Sequence, residues 1–433
     1  MISSFYNLSI RLYQLALQLA APFHPKARLA VSGRRNLLET IMQQLADNQQ
    51  PVAWFHAASL GEFEQGRPVI EAFREQYPNY TILLTFFSPS GYEVRKTYAG
   101  ADYIFYLPLD TADNARQFVE AVNPRIAFFI KYEFWYNYLR ELHGRHVPII
   151  GFSVIFRPSQ VFFKPWGGFY RRFLRYFDHL LVQNQESADL LRSIGIMNAT
   201  LAGDTRFDRV RQLVDNRKEI PVAAAFKDDT PLLVIGSAWQ TDMDVLIPFL
   251  NAFDKPLKVI IAPHEIHDDE IERWRGQLNG PSVRYSEIQS SGFNHSTIQS
   301  FTHLLIDNIG MLSSLYQYGE FAYVGGAFGK GLHNILEAAT YGMPVFFGPN
   351  HRKFQEAVDL VRDGGAFSVQ DTGEFSLIFS RLYEDAAACS KAGELASDYV
   401  TSNTGATSKV MEVAKGVISQ SLSKNIKGYQ SGG

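Results

Sequence analysis

Asn334 and Glu337 stand three residues apart, behind Gly325, Gly326, Gly329 and Gly331 in the stretch Phe321–Pro349. That spacing puts both side chains on one helical face, where a carboxylate can accept hydrogen bonds from sugar hydroxyls. The glycines let the backbone turn tightly and lie close to a ligand. The pattern predicts a helix opening near His333. Its unpaired N–H groups would face whatever the turn holds and favour an anion such as a phosphate. The run is neither G-x-G-x-x-G nor G-x-x-x-x-G-K-[ST], so it does not read as a dinucleotide fingerprint or a P-loop. The plainer alternative is a βαβ turn whose glycines serve packing.

A second set of reactive residues follows four apolar runs nearer the N-terminus. Ser59, Gly61 and Glu62 come after Phe55–His56; Ser88, Ser90 and Gly91 come after Phe86–Phe87. Lys131, Glu133 and Asn137 follow Ile130, and Arg157 follows Val154. Open α/β sheets bind ligands beyond the carboxyl ends of their strands, which is where these residues fall. Glu62 is the candidate general base, a carboxylate at a loop-to-helix junction that can point into an interdomain cleft. It can equally well complement a helix N-terminus. Glu133 poses the same choice, with Arg157 or Lys131 as ion-pair partners. The serines and Gly91 can hold an acceptor phosphate or belong to a helix cap.

Two patterns have the look of metal sites. Asp242 and Asp244 form D-x-D, but behind a buried strand they read as helix-capping residues. His264 and His267, with Asp268 nearby, read as surface polar residues of a strand-to-helix turn. No metal ligand set and no cofactor are expected.

Positioning these residues takes two sheets. Strands are expected near 52–56, 81–87, 102–107, 125–130, 147–154, 179–183 and 199–202, with helices between them, for example at 110–122 and 185–194. The alternation restarts near 231–236, 257–262, 303–306, 321–324 and 345–347. This is the pattern of two α/β, doubly wound, Rossmann-like domains in tandem. The expected division is 1–22 as a helix, 23–210 and 211–390 as the two domains, 391–422 as a helical segment and 423–433 as a frayed tail.

Composition agrees with this. The chain has 433 residues, enough for two full cores, with 46% hydrophobic and 20% charged residues. A net charge of −3 gives no argument for nucleic acid, and the lone Cys389 excludes an intrachain disulfide. In the first helix, Phe5, Leu8, Leu12, Leu15 and Leu19 share a broad apolar face that Arg11 and Gln14 interrupt. It reads as an interfacial helix rather than a spanning one. No acidic residue precedes Glu39, whereas Arg11, Lys26, Arg28, Arg34 and Arg35 are basic. That suits an anionic membrane surface, while docking on the protein's own core is the alternative.

The glycine turn with Glu337 resembles the donor-nucleotide site of GT-B glycosyltransferases. More specifically, FHAASLGEFEQGRPVI, TFFSPSGYEV, YLPLD, KYEFWYN, GDTRFD, GSAWQTD and GLHNILEAATYGMPVFFGP occur in the order found in the 3-deoxy-D-manno-oct-2-ulosonic acid (Kdo) transferases, and nearly the whole chain is similar to that family. The resemblance implies a GT-B fold whose two domains face a cleft. It also implies an inverting glycosyltransferase that moves Kdo from CMP-Kdo to a lipid A precursor (lipid IVA), at the cytoplasmic face of the inner membrane as a peripheral or monotopic protein.

By the same resemblance Glu62 is the catalytic base, and Ser237, Asn334 and Glu337 are donor-binding. Gly331, His333 and Arg206 join the donor site, with Arg206 and the backbone N–H groups of Gly329–His333 on the leaving phosphate. The acceptor set is Ser59, Gly61, Ser88, Ser90, Gly91, Glu133 and Arg157. Some positions depart from the family's pattern: Arg206 stands in place of Lys, Ala238 and Trp239 occur in GSAWQTD, and an Arg is missing beside His264. Alternatives are a GT-B enzyme that uses a UDP-sugar with a lipid acceptor, a sugar-nucleotide epimerase, or a non-catalytic membrane-peripheral protein.

Overall fold

The computed structural model describes residues 2–329 and 331–430. Met1, Lys330 and residues 431–433, the end of the expected tail, lie outside them. Two compact units are formed. One comprises the residues up to Arg209 together with those from Thr404 onward, and the other spans Val210–Asn403.

The first unit is built on seven parallel strands: β1 (Val52–Ala57), β2 (Thr81–Phe86), β3 (Tyr103–Tyr106), β4 (Pro124–Ile130), β5 (Ile149–Val154), β6 (His179–Val182) and β7 (Ala199–Leu201). Their order in the sheet is 3-2-1-4-5-6-7. Every residue of β1, β2 and β5 is buried, as parallel strands covered by helices on both faces must be. Side chains alternate between two cores. Phe55, Leu84, Phe128 and Phe152 pack with helix Leu60–Gln76, while Trp54, Leu83 and Phe129 pack with helices Leu37–Leu45, Ala112–Val122 and Tyr136–Gly144. Phe55 and Phe128 are partners across β1 and β4, and their stacked rings have centroids 4.4 Å apart.

The second unit repeats the plan. Its strands are β8 (Leu232–Ala238), β9 (Lys258–Pro263), β10 (Ser282–Arg284), β11 (His303–Leu305), β12 (Phe321–Val324), β13 (Val345–Phe347) and β14 (Ala366–Ser368), all parallel. They are ordered 10-11-9-8-12-13-14. The edge strands β10 and β14 are additions to the expected set. Their sequences, Ser282–Arg284 and Ala366–Ser368, mix polar and apolar residues and show no apolar run.

The helical segment expected over 391–422 is not one piece. Helix Ala386–Ser402 belongs to the second unit, whereas helix Ala406–Gln430 returns to the first and buries Val410, Met411, Ala414 and Ile418 in its core. Asp208 fixes the return. Its carboxylate accepts the Gly405 and Thr407 N–H groups, both at 2.6 Å, and so caps that helix. Residues 423–430, expected to fray, continue the helix.

Helix Ile2–Ala20 lies on the first unit by one narrow stripe. The Tyr6 hydroxyl donates to Asp110 at 2.6 Å, Asn7 accepts from the Asn137 amide at 2.8 Å, and Tyr13 stacks on Phe87. The rest of its apolar face is uncovered, with Phe5, Leu8, Leu12, Leu15 and Leu19 each half or more exposed. Among the described residues no helix is long and apolar enough to cross a membrane.

Candidate active site

In the first sheet the winding reverses between β1 and β4, which opens a crevice beyond their carboxyl ends. Glu62 sits there, half-buried in the first turn of helix Leu60–Gln76. Ser59 precedes that helix and donates its hydroxyl to the Glu62 carboxylate, which fixes the direction of the acid. Gly61 between them is exposed, with no neighbour crowding its Cα.

Beyond β4 the chain passes through Lys131 at φ +66, a left-handed conformation that costs a lysine energy and marks a constrained turn. The turn delivers Tyr132. Burial raises the Tyr132 pKa, the positive charge and hydrogen bonding of Arg157 pull it back, and the charges of Glu62 and Asp204 push it up again. Tyr132 therefore lies within electrostatic reach of Glu62, Arg157 and Asp204. Sequence reasoning passed over it because a tyrosine among aromatics reads as core.

Arg206 is tied to Asp204. Its Nε donates to Asp204 Oδ2 at 2.8 Å and its backbone N–H to Oδ1 at 2.9 Å. Gln65, one turn after Glu62, donates to the same carboxylate at 3.0 Å. Asp204 and Gln65 are buried, so Arg206 emerges from a fixed base. Neither residue was singled out from sequence.

Two expectations are corrected here. Glu133 is buried, and its partner is His56 at 3.1 Å, with the Trp135 indole N–H donating to it at 2.6 Å; neither Lys131 nor Arg157 takes that place. The strand end brings His56 beneath it, which leaves the carboxylate facing inward. Gly91 is also buried, and a Cβ there would come within 2.3 Å of the Phe86 ring, so packing alone demands glycine. Ser88 caps helix Pro89–Arg95 by accepting the Ser90 N–H at 3.2 Å, and the two hydroxyls lie 2.8 Å apart on the surface.

In the second sheet the reversal falls between β8 and β12. A bulge in β8 puts Ser237 at φ +52 and turns it out of the strand's alternation. Gly325 and Gly326 follow β12. A Cβ on Gly325 would lie 2.3 Å from the Ser237 carbonyl, and Gly326 takes φ +98. Asp242 clasps this turn to the next helix. It is fully buried and accepts the N–H groups of Trp239 and Gly326 and the hydroxyl of Tyr323, each at 2.9 Å. Asp244 is exposed and bonded to Gln240 at 2.7 Å.

The turn differs from expectation in its amides. The N–H groups of Gly329 and Gly331 donate to the Gly326 carbonyl at 3.0 and 3.1 Å, and that of His333 to Gly325 at 3.2 Å. No helix opens at His333; a short one spans Leu336–Ala339. With Gly326 and Gly331 in left-handed conformations the loop closes on itself, which commits those donors internally. Asn334 and Glu337 do share a face, with Asn334 Nδ2 donating to Glu337 at 3.1 Å.

His264, read from sequence as a surface residue, is exposed and lies against the rings that flank this turn. Its ring stacks on His333 at 4.0 Å and on Trp239 at 4.6 Å. Trp239 Nε1–H donates to His333 Nε2 at 2.9 Å, which requires that nitrogen to be unprotonated. Burial, reinforced by His264, lowers the His333 pKa to about 4, so the ring stays neutral. The chain separation of these three rings hides their stacking, though not the residues themselves, from sequence.

Comparison with known proteins places this arrangement. Residues 33–209 match the family model described as 3-deoxy-D-manno-octulosonic-acid transferase (kdotransferase). A 3-deoxy-D-manno-octulosonic acid transferase of Chlamydophila psittaci is 27% identical over 339 residues, which is 73% of each chain. One from Aquifex aeolicus is 25% identical over 76% of this chain and 84% of its own. Among solved structures, a Neisseria meningitidis UDP-GlcNAc 2-epimerase superposes with a TM-score of 0.58 at 14% identity, covering 83% of this chain and 98% of that one. Acinetobacter baumannii MurG gives 0.53 at 12% identity, over 84% and 98%. Residues 33–209, which include Glu62, thus match a Kdo transferase family model, and the chain, with two Rossmann-like sheets of the GT-B type, is a glycosyltransferase homologous to the 3-deoxy-D-manno-octulosonic acid transferases.

Proposed function

We propose that the chain moves Kdo from CMP-Kdo to the glucosamine disaccharide of a lipid A precursor such as lipid IVA, with inversion, in lipopolysaccharide synthesis. The observation that carries this reading is Glu62, oriented by Ser59 at a strand's carboxyl end inside the stretch that matches the family. Glu62 takes the proton of the acceptor hydroxyl, an effect worth roughly 10²–10⁴-fold. CMP departs as a phosphate monoester dianion, so negative charge develops on the leaving group. Arg206, braced by Asp204, supplies fixed positive charge for it. That cation takes the place of a divalent metal, and the reaction requires none.

Ser237, Gly331, His333, Asn334 and Glu337 form the nucleotide site, with the Asn334–Glu337 pair on the ribose hydroxyls. Ser59, Gly61, Ser88, Ser90 and Arg157 face the acceptor. The uncovered face of the first helix, Phe5 to Leu19, lies in the cytoplasmic leaflet of the inner membrane, with Arg11, Lys26 and Arg28 against anionic head groups.

The test is a mass-resolved transfer assay in detergent, with CMP-Kdo generated in situ, a lipid A precursor and excess EDTA. A product heavier by one or more Kdo residues supports donor, acceptor and metal independence together. No product beside an active control transferase sinks the reading. Activity that EDTA alone abolishes corrects only the metal.

A further inference from the structure

A pocket of about 280 Å³ lies under the N-terminal helix, lined on one side by Gln14, Leu17 and Gln18 and on the other by Arg34, Arg35 and Leu109. Arg34 is the unusual member. Its Nε donates to the Leu107 carbonyl at 2.8 Å, Nη1 to Ala30 at 3.0 Å and Nη2 to Phe87 at 2.5 Å. The rings of Phe87 and Tyr106 lie 5.1 and 4.9 Å from its central carbon. The ionisable groups that face it are the hydroxyls of Tyr106, Tyr13 and Tyr138, with no carboxylate among them, and burial lowers its pKa to about 10.

A desolvated cation is costly unless an anion answers it. Three carbonyls occupy three of the five guanidinium donors, which leaves two to offer a ligand. Arg35 adds a second, exposed cation, and Gln14 and Gln18 add amide donors from above. The remaining walls, Leu17 and Leu109, are aliphatic. On the same helix Leu15 and Leu19 stand beside the pocket-lining glutamines and face outward.

We infer that this pocket takes the phosphate of an anionic lipid, paired with Arg34 and Arg35, while the acyl chains lie along Leu12, Leu15 and Leu19. Binding of this kind requires neither the sugar donor nor turnover, so it stands or falls apart from the transfer reaction. It differs from attraction to a charged surface because it depends on the pocket's shape.

Flotation of the full chain with phosphatidylcholine vesicles, with or without phosphatidic acid and at fixed ionic strength, tests it. Arg35→Gln and Gln18→Trp, which fills the pocket, leave the three carbonyl contacts of Arg34 intact and so spare the fold. Arg11→Gln removes one charge from the same helix surface, outside the pocket. Wild type should float with phosphatidic acid, and the two pocket variants should each lose roughly tenfold or more. Arg11→Gln should lose no more than about the fivefold expected of one surface cation. Equal losses in all three overturn the inference in favour of general surface charge. So does inorganic phosphate competing as well as a short-chain phosphatidic acid, because the pocket is then a site for the free ion.

Discussion

Asp110 in the first unit and Asp242 in the second make nearly the same bonds. Asp110 accepts the Tyr6 hydroxyl at 2.6 Å and the N–H groups of Asn137 and Tyr138 at 3.1 Å. Asp242 accepts the Tyr323 hydroxyl and the N–H groups of Trp239 and Gly326, all at 2.9 Å. Burial raises the pKa of both, that of Asp110 to about 6. What each fastens is different. Asp110 ties down a surface helix, so the charged cluster of Glu62, Arg157, Asp204 and Arg206 is assembled without it. Asp242 clasps the glycine turn itself, so fastening and proposed nucleotide site are one piece. On the proposed function, a strand end that must keep charges available for proton transfer leaves its structural carboxylate elsewhere. One that must hold a shape builds the carboxylate in.

This contrast predicts where damage will show. Glu62→Gln should reduce kcat roughly 10²–10⁴-fold while thermal protection by CMP is retained, because the base belongs to the first unit alone. Loss of CMP protection in that variant would mean the two strand ends do not divide the work in this way. Asp242→Ala orphans three buried donors and should cost the second unit about 3 kcal/mol or more in denaturant unfolding, and CMP protection with it. If its stability falls while CMP still protects, the turn keeps its shape without the clasp. Tyr6→Phe removes one hydrogen bond to a buried carboxylate, a loss of about 1.5 kcal/mol confined to the N-terminal helix. Limited proteolysis should then release that helix faster, with donor protection unchanged.

The sheets were legible because parallel strands buried on both faces carry apolar runs such as Val52–Ala57 and Thr81–Phe86 that little else explains. β10 and β14 were not, because Ser282–Arg284 and Ala366–Ser368 carry no apolar run to mark them. The pairings of Ser59 with Glu62 and of Asn334 with Glu337 were legible because the partners are three residues apart. The contacts of Gln65 with Asp204 and of His264 with His333 were not, since each joins residues far apart along the chain. The amides of Gly329–His333 were misjudged for a different reason. Glycine spacing shows that a turn exists, but left-handed angles at Gly326 and Gly331 decide which way its donors point. Asp208 illustrates the same limit: it caps a helix that begins nearly two hundred residues later, which nothing in GDTRFD signals.

The smallest expected effect separates the units by pH. Burial holds the Asp110 carboxyl near about 6, against an ordinary 3.8. Burial holds the His303 imidazole near about 4, against 6.5. A carboxyl that folding makes harder to ionise favours the folded state more as pH falls from about 6 toward 4. An imidazole that folding makes harder to protonate favours it less as pH falls from about 6.5 toward 4. Asp242, also raised, opposes His303 within the second unit, so variants are needed to separate the contributions. On acidification through this window the stability of wild type should rise relative to Asp110→Asn and fall relative to His303→Gln. His333 carries the same test into the site. Trp239 can donate to its Nε2 only while the ring is neutral, and burial followed by His264 keeps it so down to about 4. Protection by CMP should therefore persist through the ordinary histidine range and fail near 4. Failure near 6.5 instead would show that His333 titrates as a free histidine and that the stacked rings do not hold the donor.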